Sequence, residues 1–292
     1  MAVIPPHFFN CVVAIGNRNP DETISWVGTG FFYGSKQATP PEGWNKEGQR
    51  YLIWLVTNKH VVQLLKNPIV RIDSQGSEAL QIPVQMLDAE GDSYWKGHDD
   101  PDVDVSITPI NHDFLAAIGA KFNFFMQGST SATIEELKEM EVSEGIGGFL
   151  LGFPMGIVSG PTNAVIVRKS YIAKIRDTYE GNSKSILIDG AVFPGNSGGA
   201  AVINPELMAI EGTKALPKAY LIGVVASYVP YIDTAYSTQT NRPRITFEEN
   251  SGLTNIFPVN CIHEIVEKVF ASKDQTEEQA TVPSPEIEKE LL

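Results

Sequence analysis

The sequence predicts an all-β protein, built as two β-rich halves with one helix at the C-terminal end of the folded body. Three observations carry that expectation. Short apolar runs recur along the chain, separated by stretches rich in Gly, Pro, Asp, Asn and Ser. Segments with a helical period are few. The one sustained period of that kind falls late, over residues 262–270. Many short strands with turn signals between them build sandwiches or barrels.

In the first half, residues 1–110, strands are expected at 11–15, 27–33, 51–57, 69–72, 80–84 and 103–107. The turn-rich pieces 34–50 and 73–76 lie among them. Residues 111–143 read as a connection holding one short helix at 134–140, where Thr133 and Glu136 can form a capping box. The second half, residues 144–271, offers strands at 146–151, 164–167, 171–175, 185–188, 200–203, 220–225 and 244–247. A closing helix follows, with Asn260 as its N-cap. Ile262, Ile265, Val266, Val269 and Phe270 line one face, and Glu264, Glu267 and Lys268 the other. Residues 272–292 carry six acids, two lysines, Pro283 and Pro285, and are expected to form a disordered acidic tail.

Composition narrows the function classes. A chain of 292 residues that is 42% hydrophobic can bury sizeable cores. Its net charge of −13 argues against nucleic acids and anionic membranes as partners. No apolar run approaches the roughly 18 residues needed to span a bilayer. Met1-Ala2-Val3-Ile4-Pro5-Pro6-His7 has no basic region ahead of an apolar stretch, so a cytoplasmic location is expected. Cys11 and Cys261 sit in apolar sequence and read as buried free thiols, with a bridge between them left open.

The chemistry is concentrated in three segments. Gly195-Asn196-Ser197-Gly198-Gly199 sets a serine on a tight loop between two strands. The flanking glycines let the backbone aim amide N–H groups at one point. A serine hydroxyl becomes a useful nucleophile only when a neighbouring base takes its proton. Thr57-Asn58-Lys59-His60-Val61 places a histidine where an apolar strand gives way to a turn. Asp102-Val103-Asp104-Val105-Ser106-Ile107 offers carboxylates at the start of a buried-looking strand. A serine, a base and a carboxylate that orients the base make a catalytic triad, here in the order His, Asp, Ser.

Two other chemistries fit less well. Asp100, Asp102 and Asp104 alternate as in a calcium loop, but Val105 and Asn111 stand where such a loop needs glycine and glutamate. His7, His112 and His263 have no metal-ligand company, so no metal site is expected. Gly195–Gly199 also satisfies the Gly-x-Ser-x-Gly elbow of α/β-hydrolases, with His263 as a late histidine. That motif needs a helix directly after the serine, whereas residues 200–203 are strand-like and Asn204-Pro205 ends them.

Over residues 12–270 the chain resembles the trypsin-like serine peptidases, particularly their bacterial, disulfide-free branch. The likeness rests on Gly28-Thr29-Gly30-Phe31-Phe32, Thr57–Val61, Asp104-Val105-Ser106-Ile107, Leu151-Gly152-Phe153-Pro154, Pro194–Gly199 and Leu221-Ile222-Gly223-Val224-Val225, taken in this order. The resemblance implies two antiparallel β-barrels packed together (chymotrypsin-like) and a closing helix. It implies a serine endopeptidase acting on protein or peptide substrates without metal or organic cofactor. His60 would be the base and Ser197 the nucleophile. Asp104 is the preferred carboxylate, because Ser106 supplies the small residue the family places two positions later. Gly195 and Ser197 would give the oxyanion amides. The specificity pocket would be lined by Ala191, Val192 and Phe193, with walls from Ala226, Ser227 and Gly252. Ala191 stands where relatives that cut after Lys or Arg carry an acid, so small or apolar P1 residues are expected. Ala226 departs from the serine that many relatives use to hold the triad aspartate. A catalytically silent binding module on the same fold is the alternative.

Overall fold

The computed structural model describes residues 3–36, 50–208 and 214–281, with side chains described as far as residue 271. The first half forms one sheet. Its strands are β1 (Val12–Arg18), β2 (Ile24–Lys36), β3 (Tyr51–Thr57), β4 (Pro68–Ile72), β5 (Leu80–Pro83), β6 (Lys96–Gly97), β7 (Ser106–Pro109) and β8 (Phe125–Met126). They are ordered β5-β4-β1-β2-β3-β7-β6, with β8 parallel beside β2. The second half is a closed antiparallel barrel. It is made of β9 (Gly147–Gly152), β10 (Ile166–Lys174), β11 (Ile186–Asp189), β12 (Ala200–Ile203), β13 (Tyr220–Tyr236) and β14 (Pro243–Pro258), ordered β10-β11-β14-β13-β12-β9. Among the described residues five α-helices lie around these sheets: α1 (Lys59–Gln63), α2 (His112–Ala117), α3 (Ile134–Glu139), α4 (Arg176–Tyr179) and α5 (Asn260–Thr281). The all-β, two-unit architecture with a closing helix is the one expected.

Burial explains why several strands are apolar throughout instead of alternating. Side chains on a strand point to opposite faces in turn. Val13, Ile15, Phe32, Ile53 and Leu55 fill a core belonging to the first sheet. Their neighbours Val12, Ala14, Phe31, Trp54 and Val56 face the other way, into a core shared between the halves. Leu151, Val224 and Phe257 of the barrel and Ile262, Ile265 and Val266 of α5 complete that shared core. The barrel has a separate interior built on Ile172, Ile186, Ile188, Ile222 and Ile256. The shared core packs the two halves against each other, and Thr29 and Thr57 of the first sheet lie against the serine loop of the second half.

Several elements differ from expectation. The strands expected at 164–167 and 171–175 merge into the single strand β10, Ile166–Lys174, because Arg168, Lys169 and Ser170 continue the ladder opposite β9. The runs at 220–225 and 244–247 are parts of a long hairpin, β13–β14, that pairs as far as Tyr236↔Pro243. α2 was not read from the sequence; Asn111 caps it by accepting the Phe114 N–H. α3 has the full capping box between Thr133 and Glu136. Asn260 does not cap its own helix. Its side chain accepts the Ile134 N–H at 2.8 Å and donates to Glu135 at 2.9 Å, joining α5 to the start of α3. α5 runs on to Thr281, past residue 271 where composition placed the edge of the folded body. Residues 271–281 contain no Gly or Pro, and the first helix breaker is Pro283. The remainder of the expected tail, 282–292, lies outside the described residues.

Candidate active site

His60 is delivered by the break between β3 and α1. The apolar strand stops at Thr57, Asn58 takes extended backbone angles, and α1 begins at Lys59. Val61 is fully buried, which anchors the turn and leaves His60 at the surface edge. Asn58, itself buried, donates from its side chain to the Asp104 carbonyl at 2.5 Å. Lys59 donates to the Asp100 carbonyl at 2.8 Å. The segment holding the aspartates is therefore pinned by the two residues just before the histidine.

Asp104 lies two residues ahead of β7, in the loop that leads into the strand rather than on the strand itself. One carboxylate oxygen is 2.5 Å from His60 Nδ1, and the other accepts the His60 backbone N–H at 3.1 Å. Burial pushes the Asp104 carboxyl up, but the His60 side-chain and backbone hydrogen bonds outweigh it and hold the group below its ordinary range. An ionised carboxylate at Nδ1 keeps the proton on that nitrogen and leaves Nε2 as the acceptor. Asp102 is elsewhere: it and Asp100 both pair with Lys184, at 2.9 and 2.7 Å, on the surface between the halves.

The serine loop is shaped by two glycines that cannot be replaced without strain. Gly195 has φ +96°, and a Cβ there would meet the Phe153 carbonyl at 2.4 Å. Gly198 has φ +83°, and its Cβ would lie 2.1 Å from both the Thr29 carbonyl and Thr57 Oγ1. The Pro194 carbonyl accepts the Met155 N–H at 2.5 Å and the Asn196 carbonyl accepts the Gly199 N–H at 2.9 Å. In a trans peptide the N–H points opposite to the carbonyl, so the Gly195 and Ser197 amides are turned away from those contacts. Neither amide has a hydrogen-bond partner among the described residues. Two oriented, unspent N–H groups beside a serine are what an oxyanion requires.

Ser197 itself is tied to both halves. Its carbonyl accepts the Thr29 N–H at 2.9 Å, and its hydroxyl donates to the Ala226 carbonyl at 3.2 Å. No hydrogen bond joins Ser197 to His60 among the described residues; the hydroxyl bonds the Ala226 carbonyl and the imidazole bonds Asp104. Thr29 is the residue whose role the sequence left unread. Fully buried, it donates from Oγ1 to the Gly195 carbonyl at 2.6 Å, accepts the Phe153 N–H at 3.0 Å, and offers its own carbonyl to Thr57 Oγ1 at 2.7 Å. One side chain thus fastens the serine loop to the histidine-bearing sheet.

The expected specificity pocket is brought together only in part. Val192 is a core residue of the barrel, and its carbonyl accepts the Asn250 side chain at 2.6 Å. Phe193 points outward, with the Arg168 guanidinium 5.1 Å above its ring. Val192 is buried in the barrel interior and Phe193 lies at the surface, so the two do not share a pocket wall. Ala191 is half-buried, Ala226 buried, and Ser227 exposed beside it. Gly252 joins this region through its carbonyl, which accepts the Gly190 N–H at 2.8 Å. Asp189 is exposed on the side of β11 facing away from the buried Ile186 and Ile188. The segment after Ser197 is the strand β12, which excludes the helix of an α/β-hydrolase elbow. His263 sits on α5 with its Nε2 2.5 Å from the Tyr33 hydroxyl. Cys11 and Cys261 are both free and buried. No helix among the described residues is long and apolar enough to cross a membrane.

No family model matches the chain, and no curated protein sequence matches it. Among solved structures it is similar to human heparin binding protein, at 10% sequence identity over 92% of this chain and 95% of that one, with a TM-score of 0.49.

Proposed function

We propose that the protein is a serine endopeptidase that hydrolyses peptide bonds through an acyl-enzyme on Ser197. The observation that supports this reading is the double hydrogen bond from His60 to Asp104, together with a serine loop whose Gly195 and Ser197 amides have no partner among the described residues. Asp104 holds the imidazole with Nδ1 protonated. His60 Nε2 then takes the Ser197 proton as Oγ bonds to the peptide carbonyl carbon. The carbonyl oxygen becomes an oxyanion, received by the Gly195 and Ser197 N–H groups, each donor contributing about 3–4 kcal/mol. As the C–N bond breaks, the imidazolium returns that proton to the leaving amine. Water repeats the sequence on the acyl-enzyme and frees the acid. This chemistry calls for no metal or organic cofactor.

Ala191, and the absence of an inward carboxylate at Asp189, favour small or apolar P1 side chains over Lys or Arg. One observation favours a second reading. The Ser197 hydroxyl is committed to the Ala226 carbonyl and not to His60, as a catalytically silent binding module would allow. Cleavage profiling of a denatured proteome decides between them. The wild type is expected to generate new N-termini preceded by Ala, Val, Ser or Leu, and Ser197→Ala none. Identical profiles for the two proteins would establish the silent module.

A further inference from the structure

Glu264 and Lys268 stand on the face of α5 that the sequence assigns to solvent, yet both reach the loop that carries Asp104. That loop spans residues 98–105, between β6 and β7. The β6–β7 ladder pairs Gly97 with Ser106, and the His98 N–H then donates to the Val105 carbonyl at 3.0 Å, closing the loop at its base. His98 also shapes the loop from inside, because its Nδ1 accepts the Asp100 N–H at 3.1 Å. Asp100 in turn accepts the Asp102 N–H at its side chain, at 3.0 Å, and the Val103 N–H at its carbonyl, at 3.2 Å. One chain of hydrogen bonds therefore runs from His98 to the residue before Asp104.

The other ring nitrogen leaves the loop. His98 Nε2 lies 2.6 Å from the Glu264 carboxylate, and the His98 side chain is only 11% exposed. An Nδ1 that accepts is unprotonated, so the ring proton sits on Nε2 and points to Glu264. A carboxylate thus fixes the tautomer of His98, as Asp104 fixes that of His60 at the opposite nitrogen. Val103 and Val105, on either side of Asp104, are buried in the same core as Ile262, Ile265 and Val266 of α5. Apolar contact sets how closely helix and loop approach, but it is non-directional. The Glu264–His98 bond adds direction. Lys268 makes a second tie, to Asp99, with both side chains mostly in solvent, where an ion pair contributes little.

We propose that Glu264, acting through His98, is a positioning residue for the triad, holding the Asp104 loop so that its carboxylate keeps both hydrogen bonds to His60. This inference rests on the peptidase reading above. Asn58 and Lys59 hold the loop from the histidine side, and Glu264 holds its start from a helix 166 positions later in the chain. The demand on placement is severe, since a misplacement of about 1 Å can cost about a hundredfold in rate. On this account α5 does more than close the shared core: its polar face completes the support of the triad carboxylate.

The test follows fluorophosphonate labelling of Ser197 at increasing probe concentration, which separates probe affinity from the rate at saturation, at temperatures well below the melting point of each variant. Glu264→Ala should lower the saturating rate by about 10- to 100-fold and leave the affinity unchanged. His98→Asn, whose side-chain oxygen can replace Nδ1 as acceptor but cannot reach Glu264, should fall as far. Glu264→Gln, which still accepts the Nε2 proton, should recover most of the rate, and Lys268→Ala should change it less than about threefold. In an Asp104→Asn background Glu264→Ala should cost almost nothing further, because its effect passes through that carboxylate. Glu264→Ala and His98→Asn that react like the wild type would overturn the proposal. So would losses that add to that of Asp104→Asn, since Glu264 would then support the fold at large. The low-field proton resonance of His60 Nδ1, assigned by its loss in His60→Ala, separates this role from the peptidase reading. A resonance present in a wild type that does not label, and broadened in Glu264→Ala, would keep the positioning role and remove the peptidase. One that stays sharp in Glu264→Ala would remove the positioning role.

Discussion

Replacing Thr29 by Val tests whether one buried hydroxyl holds the serine loop, the proposed oxyanion site, in place. Valine keeps the shape of threonine but not its hydrogen bonds, so the cavity term is small. The Gly195 carbonyl and the Phe153 N–H, both in buried residues, lose their partner together. Each unpaired buried group costs about 1–3 kcal/mol, giving about 2–6 kcal/mol in stability. At about 2–4 °C per kcal/mol the melting temperature should fall by on the order of ten degrees. The catalytic effect should be smaller than that of deleting an oxyanion donor, which costs about 10²–10³ in kcat. The Gly195 amide remains present but is less firmly aimed, so a loss of about 10- to 100-fold is expected. Differential scanning fluorimetry reads the first quantity, and the rate of fluorophosphonate labelling reads the second without requiring a known substrate. Thr29→Ser, which retains the hydroxyl, should recover most of both. A Val variant that melts and reacts like the wild type would refute the assignment of Thr29 as the clamp.

Other outcomes follow from the same geometry. Ser197→Ala and His60→Ala should each remove nearly all turnover, and the double variant little more, because triad members act as a unit; additive losses in single-turnover kinetics would contradict the triad. Asp104→Asn should lower kcat by about 10⁴, while Asp102→Asn, which breaks only a surface pair with Lys184, should change it less than tenfold; the reverse ranking would mean that Asp102 serves the histidine. Because the folded carboxyl of Asp104 titrates below its unfolded value, its contribution to stability is complete above about pH 4 and disappears as pH falls through the folded pKa. Acid unfolding of Asp104→Asn, followed by circular dichroism, should accordingly be less steep below pH 4. Burial pushes the Cys261 thiol up to about 12 and raises Cys11 further, so neither should react with iodoacetamide at pH 8 until the protein is denatured, as intact mass would report.

What could be read from the sequence was what carries its own punctuation. Residues 200–203 form the expected strand because Gly199 and Asn204-Pro205 bracket them. The α3 capping box needs only Thr133 and Glu136, three residues apart. Asp104 was separable from Asp102 by the small residue at 106, and the two carboxylates do have different partners. Long-range dependence hid the rest. Thr29 reads as an ordinary strand residue, and its role exists only through a partner 166 positions away. The outer β13–β14 ribbon has no buried face, so Glu248, Glu249 and Asn250 give no alternation to follow and the expected strand stops at 247. Val192 and Phe193 were placed in the pocket by their position before the serine loop. Which way an extended segment turns its side chains depends on the barrel behind it, and Val192 turns into the core.

The central claim is that Ser197 is an activated nucleophile, served by His60. Incubation with a fluorophosphonate probe, followed by tryptic mass spectrometry, tests it most directly. The account predicts one modified residue, Ser197, with labelling abolished in Ser197→Ala and reduced at least a thousandfold in His60→Ala, the scale on which a triad base acts. An unlabelled wild-type protein, or labelling at Ser197 that is indifferent to the loss of His60, would contradict it.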